Sequence, residues 1–292
     1  MKTKQYEVTS KDFDLSQMPT APDQDLGDDS QLKKKLQANI KPLKNLQKKL
    51  FANHTYGVLM ILQGMDAAGK DSLVAHMFAG INPAGFQVAS FKHPSHRELA
   101  HDYLWRVNLE LPRRGVLGIF NRSYYEDLLV PQVHPEILLG ENLPNINQVS
   151  DVTDDFFKQR FHDVVHYEHY LNHCGYLVLK FFLHMSKAEQ KKRFLARIER
   201  PEKNWKFSPD DIKERQYWDR YQAAYEKMIR HTATNADPWY IIPGDDKWYE
   251  RLTVSNILIK KLDELKLTYP KMNAEQTARL NEAMNRLDEE KK

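Results

Sequence analysis

Apolar positions along the chain recur with two different spacings. Between Asp28 and Asn53, Leu32, Leu36, Ile40, Leu43, Leu46 and Leu50 return every three or four residues, which predicts a helix with one buried face. Asp28, Asp29 or Ser30 can cap it. YGVLMILQG, residues 56–64, is a short unbroken apolar run, as expected of a strand covered on both faces. Comparable runs follow at FQVASF (86–91), GVLGIF (115–120), YLVLKFFLHM (176–185) and PWYIIPG (238–244). Helical spacing fills the intervals, at 95–111, 154–173, 186–201 and 208–233, and a last helix is expected over 246–265. Alternating strands and helices predict an α/β fold of three layers, α/β/α, with a five-stranded parallel sheet and right-handed crossovers.

The same pattern sets the domain limits. Residues 1–27 are polar and broken by Pro19, Pro22 and Gly27, so they are expected to form an extended arm, mobile or wrapped on a neighbour. Residues 28–268 form one domain, and 269–292 a charged peripheral tail. No internal repeat is visible.

Candidate chemistry starts where the first strand ends. ILQGMDAAGKDS (61–72) has Gly64, Gly69 and Lys70 in the places of a phosphate-binding P-loop (Walker A), but Asp71 stands where a magnesium-ligating Ser or Thr is usual. Strand, glycine loop and helix in that order raise the motif above a chance match. Backbone N–H groups from Gly64 through Ala67, Ala68 and Gly69 can face phosphate oxygens, and Lys70 adds a point charge. Asp66 beside a phosphate is repelled unless a cation lies between them, so it is the first candidate ligand for Mg²⁺, or Mn²⁺ in its place. Asp71 is read first as a helix cap, with a part in the phosphate and metal site through a water as the alternative.

A second cluster, GVLGIFNRSYYEDLL (115–129), puts Asn121, Arg122, Glu126 and Asp127 at the carboxyl end of a strand, where open α/β sheets bind ligands. Arg122 offers a planar fork for phosphate. Ser123 could simply cap a helix whose first turn holds the acids. A third cluster is basic and broken by Pro201 and Pro209: Lys191, Arg193, Arg197, Arg200, Lys203 and Lys206, with Trp205 among them. It predicts a helical lid over about 197–211 that neutralises a phosphate chain and excludes water.

Other features carry less. His162, His166, His169 and His173 share a helix face without a carboxylate at zinc-hydrolase spacing, so the face reads as polar or interfacial. YWDRYQAAY (217–225) reads as core. The lysines at 33–35 and 48–49 read as a solvated face. The formal net charge of +3 leaves no broad cationic surface, which argues against nucleic acid. One cysteine, Cys174, excludes an internal disulfide and fits a reducing, cytoplasmic setting. No stretch reaches the ~18 apolar residues of a membrane span.

GMDAAGKDS, FKHPSHRELAHDYLWR, LPRRGVLGIFNRSYYEDLLV with VHPE, EKNWKFSPDD and PWYIIPGDDKWYERL, in that order, resemble the motif series of the polyphosphate kinase 2 family. The resemblance implies a P-loop kinase fold akin to thymidylate kinase and reversible Mg²⁺-dependent transfer between inorganic polyphosphate and nucleotides. It also implies a homodimer or homotetramer. Carried over, the first motif's aspartate and lysine are Asp66 and Lys70, the second motif's arginine is Arg122, and lid cations fall between Arg197 and Lys206. Asn121 and Glu126 bound a hexapeptide that many diphosphate-specific members write D-R-S-W-Y-N. They resemble instead the subgroup acting on nucleoside mono- and diphosphates. The competing expectation is an ATP-dependent kinase of the thymidylate-kinase type, which shares only the first motif.

Overall fold

The computed structural model describes residues 1–290. Its sheet has six strands: β1 (Glu7–Val8), β2 (Gly57–Gln63), β3 (Phe86–Ser90), β4 (Leu117–Asn121), β5 (Tyr176–His184) and β6 (Trp239–Pro243). Their order is β1-β6-β5-β2-β4-β3, and β2 through β6 run parallel. All seven residues of β2 are buried, as its unbroken apolar run predicts for a strand with neighbours on both edges and layers on both faces.

Helices Asp29–Asn53, Lys70–Met77 and Lys247–Glu264 pack together in one layer. Helices Glu126–Val133, Asp154–His173 and Trp218–Thr232 pack together in the other. Asp28 caps helix Asp29–Asn53 through a reciprocal capping box with Gln31. Trp218, Tyr221 and Tyr225 lie in the core, as their helical spacing predicts. His162, His166, His169 and His173 stay on the solvent side of their helix.

Register positions the site. From β2 the chain goes to β3 and β4 on one side, then to β5 and β6 on the other, so β2 is where the direction of travel reverses. Leu62 of β2 lies opposite Asn121 of β4. The loop after β2 and the turn after β4 are therefore neighbours at the carboxyl edge, beside the switch point where such sheets bind ligands.

Four expectations need correction. The sheet has a sixth strand because the N-terminal segment supplies β1, which runs antiparallel to β6 with Val8 opposite Trp239. That segment is no free arm: Tyr6, Phe13 and Leu15 are buried in the domain's own core. Residues 95–111 make two short helices, His96–Leu99 and Trp105–Leu109, because the Asp102 side chain accepts from the Leu104 amide (3.0 Å) and starts a new turn. Residues 208–233 split into Pro209–Glu214 and Trp218–Thr232 around a 3₁₀ turn at Arg215–Tyr217. Within the peripheral tail, Ala274–Glu289 forms a helix with no buried residue.

The N-terminal segment is pinned at its centre. The Tyr6 hydroxyl lies 2.7 Å from that of Tyr249, and both donate to Asp23. Tyr249 sits in the first turn of helix Lys247–Glu264, so the segment braces an element that also borders the cleft. Tyr6→Ala should therefore remove about 3–5 kcal/mol, the usual effect of truncating a buried aromatic. Thermal unfolding would then show a midpoint lower by roughly 10 °C. A shift under about 2 °C would mean that the segment lies outside the cooperative fold.

Candidate active site

The loop from Gly64 to Gly69 turns the chain from β2 into helix Lys70–Met77. Gly69 is the helix N-cap with φ +111, a conformation that side chains rarely adopt, and a Cβ there would lie 3.4 Å from Glu250 Oε1. Ala67 also takes positive φ. Lys70 is buried; its ammonium donates to the carbonyls of Gly64 (2.7 Å) and Met65 (3.3 Å). Burial and the Arg122 charge pull its pKa down to about 8.

Asp71 does not cap the helix, contrary to the sequence reading. The helix has no side-chain cap, and Asp71 instead accepts a hydrogen bond from the Asn121 amide at the end of β4. The residue that replaces the usual hydroxyl thus ties the loop helix to the neighbouring strand.

Arg122 opens the turn after β4 with φ +64, and its amide donates to the Leu62 carbonyl (3.0 Å). Its guanidinium bridges two carboxylates, Asp66 at 2.5 Å and Glu126 at 2.7 Å. Glu126 and, to a smaller degree, Asp66 hold its pKa well above the ordinary arginine value. The Gln63 amide, with its nitrogen toward Glu126, donates to Oε1 at 2.7 Å and accepts from Ser123. Ser123 accepts from the Tyr125 amide (3.1 Å) and does not cap the helix that starts at Glu126, whose N-cap is Tyr125. Asp127 turns to Arg106 (3.2 Å), and burial pushes its pKa up to about 6. Arg106, in the segment predicted only as helix, is therefore the inner partner of this acid.

The opposite wall is cationic. The segment predicted as a lid comprises the end of helix Lys187–Glu199, a 3₁₀ turn at Pro201–Lys206 and helix Pro209–Glu214. Arg197, Arg200, Lys203 and Lys206 line the cleft beneath it, and Arg197 pairs with Asp211 (2.8 Å). Trp205 is 78% exposed on the lid, with the Lys206 ammonium over its ring. Between them the two walls enclose a cleft of about 1850 Å³.

Several contributors escaped the sequence reading because their partners are far away in the chain. Arg193 is no lid cation: it is buried and donates to the carbonyls of Ala67 (3.1 Å) and Ala68 (2.7 Å) and to that of Gly244. Gln190 donates to the Asp66 carbonyl (2.9 Å) and accepts from Arg215 (2.6 Å). Lys247 and Arg251 stand one turn apart at the start of their helix and line the cleft. Arg251 donates to Ser72 (2.8 Å) and lies over the Trp248 ring. Burial, with Arg193 and Lys203 nearby, lowers the Lys247 pKa. Their i, i+4 spacing in DKWYER was the available signal. Glu250, buried behind the loop among these cations, has its pKa raised to about 8 by burial.

Among the described residues no three Cys, His, Asp or Glu side chains converge as a ready-made metal site. The donors present still suit Mg²⁺, which takes oxygen ligands and commonly rests on one or two carboxylates plus substrate phosphates. Asp66 is part-exposed, and Arg122 engages only its Oδ1. Among the described residues no helix is long and apolar enough to cross a membrane.

Comparison with known proteins agrees with this geometry. A family model described as Polyphosphate kinase 2 matches residues 26–270. An "ADP-polyphosphate phosphotransferase" of Rhodopseudomonas palustris is 46% identical over 271 residues, 92% of this chain and 93% of that one. An "AMP/ADP-polyphosphate phosphotransferase" of Meiothermus ruber is 45% identical over 78% of this chain and 80% of its own. The crystal structure of polyphosphate kinase 2 from Arthrobacter aurescens superimposes with a TM-score of 0.85 at 33% identity, over 95% of both chains. A family model over most of the chain, two relatives above 40% identity and a solved structure of one member point the same way, and the chain belongs to the polyphosphate kinase 2 family.

Proposed function

We propose that this enzyme passes the terminal phosphoryl group of inorganic polyphosphate to both nucleoside monophosphates and nucleoside diphosphates, reversibly, with Mg²⁺ held by Asp66. Phosphoryl transfer between polyphosphate and nucleotides is the activity of the family, and the chain is a kinase in that sense. The observation that supports the finer reading is that one cleft has an acid-rich part and a part richer in cations. Asp66, Asp71, Glu126 and Asp127 gather around Arg122 in the first, and Lys247, Arg251, Arg200, Lys203 and Lys206 stand in the second among Asp210, Asp245 and Asp246.

A long polyanion suits the cationic end, because each phosphate there replaces repulsion between like charges with attraction. The acceptor's phosphate suits the acidic end only if its charge is balanced, and Arg122 together with a bound Mg²⁺ would supply that balance. Lys70 and the loop amides then lie between donor and acceptor. They stabilise the charge on the group in transit, and positioning does most of the rest. The lid limits access of water, which would otherwise hydrolyse the donor. No side chain has to form a covalent intermediate. We also propose that the enzyme works as a homodimer or homotetramer.

Incubation with AMP or ADP and polyphosphate as sole donor should yield ADP and ATP. Asp66→Ala should lower that turnover at least about 100-fold; undiminished turnover would remove Asp66 from the mechanism. Asn121→Asp combined with Glu126→Asn moves a negative charge from the start of helix Glu126–Val133 to the end of β4. It should reduce kcat/KM for AMP roughly tenfold more than for ADP, whereas equal losses on both acceptors would contradict the assignment. Lys70 carries its charge only below its lowered pKa of about 8. In the free enzyme kcat/KM for polyphosphate should therefore fall roughly tenfold per pH unit above that value. The same limb should persist in Glu250→Gln, which removes the neighbouring carboxylate; its disappearance there would reassign the limb to Glu250.

A further inference from the structure

Between Arg122 and Glu126 lie two adjacent tyrosines that no part of the proposed reaction uses. Tyr124 and Tyr125 are fully buried, and both hydroxyls donate to one oxygen of Glu168, at 2.8 and 2.6 Å. The other carboxylate oxygen accepts from Lys180 (2.7 Å), which also donates to the Thr232 carbonyl (2.7 Å). Lys180 sits in the middle of β5, opposite Ile61 of β2 on one side and Trp239 of β6 on the other. Glu168 and Lys180 are both completely shielded from water.

Such a pair is a poor source of stability, since apolar residues of the same volume often serve equally well in its place. Its particular contribution is direction. A carboxylate that accepts from three donors fixes where each must point, whereas an apolar cluster leaves rings free to settle anywhere they fit. Burial and the Glu168 charge push both phenol pKa values far up, so each hydroxyl keeps the proton it donates. None of the four side chains lines the cleft, so they reach the reaction only through the backbone they hold. That backbone includes Arg122, whose positive φ is unfavourable for a side chain and persists only when its surroundings impose it.

We infer that Lys180, Glu168, Tyr124 and Tyr125 are positioning residues: the buried pair clamps both tyrosines and thereby sets Arg122 and Glu126 at the angle the acceptor phosphate requires. The inference rests on the reading of that turn as the acceptor site. Two variants test it. Lys180→Met with Glu168→Leu removes both charges while keeping volume, and Tyr124→Phe with Tyr125→Phe keeps the pair but frees the rings. Each leaves buried polar groups short of partners, which costs stability. Each should therefore melt below wild type yet stay folded at assay temperature, and lose kcat about 10- to 100-fold with KM for polyphosphate changed less than about twofold. Arg122→Lys should add little further loss in either background, because misplacement has already removed most of what Arg122 does. Amide hydrogen exchange over residues 122–127 should rise at least about tenfold while β2 stays protected. That readout needs no turnover, so an inactive wild type would sink the functional reading and leave the clamp to be judged by exchange. Wild-type kcat in the folded tyrosine variant, or unchanged exchange over the turn, would overturn the inference. If the first variant fails to fold, the tyrosine variant, with its charges still paired, decides.

Discussion

Arg122 joined to Asp66 on one side and Glu126 on the other is the contact on which the site depends. Asp66 belongs to the loop after β2, and Arg122 and Glu126 to the turn after β4, so one guanidinium fastens two segments that meet only because Leu62 and Asn121 are in register. Two carboxylates around one guanidinium leave a net negative charge. An incoming phosphate adds more of the same sign, and in a part-buried site such repulsion amounts to several kcal/mol. A divalent cation, if held by Asp66 as proposed, would offset that repulsion at the acid Arg122 already orients. Asp66 would then take the part of the hydroxyl usual after the loop lysine, while Asp71 holds Asn121.

The basic wall differs in kind. Arg197 is neutralised by Asp211, and Arg193 is committed to loop carbonyls, so the cations left for a polyanion are mainly Arg200, Lys203, Lys206, Lys247 and Arg251. They come from two separate elements, the lid and the start of helix Lys247–Glu264. The lowered Lys247 pKa shows that burial and these neighbours already disfavour its charge, and bound phosphates reverse the electrostatic part of that penalty. A chain of phosphates can meet this requirement along its length, because these cations are spread over both elements.

Features carried by contiguous residues were legible in the sequence. The five parallel strands, the phosphate loop, the arginine turn and the basic excursion after residue 190 each show themselves in a dozen letters, because apolar run length, glycine placement and charge are local properties. β1 was not legible: two residues are too few for a period, and its pairing with β6 is made across more than two hundred positions. The break at Asp102 looks helical in any window, and only its side-chain bond to Leu104 reveals a second start. Arg193 reads as one more lid cation until its three carbonyl partners are seen. Lys180 and Glu168 are harder still, since a lysine inside an apolar strand and a glutamate inside a histidine-rich helix give no sign of each other.

Those long-range contacts also determine how motion can reach the site. Gln190 lies just before the lid and Arg215 just after it; the two are bonded to each other, and Gln190 is bonded to the main chain of Asp66. Arg193, one turn beyond Gln190, holds the next two carbonyls of the loop. Both stems of the basic segment are therefore fastened to the Asp66 part of the loop, and Pro201 and Pro209 break the helices in the span between them. If the segment works as the proposed lid, its cations would move over a phosphate chain while Asp66 and Arg122 kept their separation. The proposed in-line transfer would gain from such an arrangement, because misplacement of reacting atoms by about 1 Å is costly while the donor still has to enter and leave.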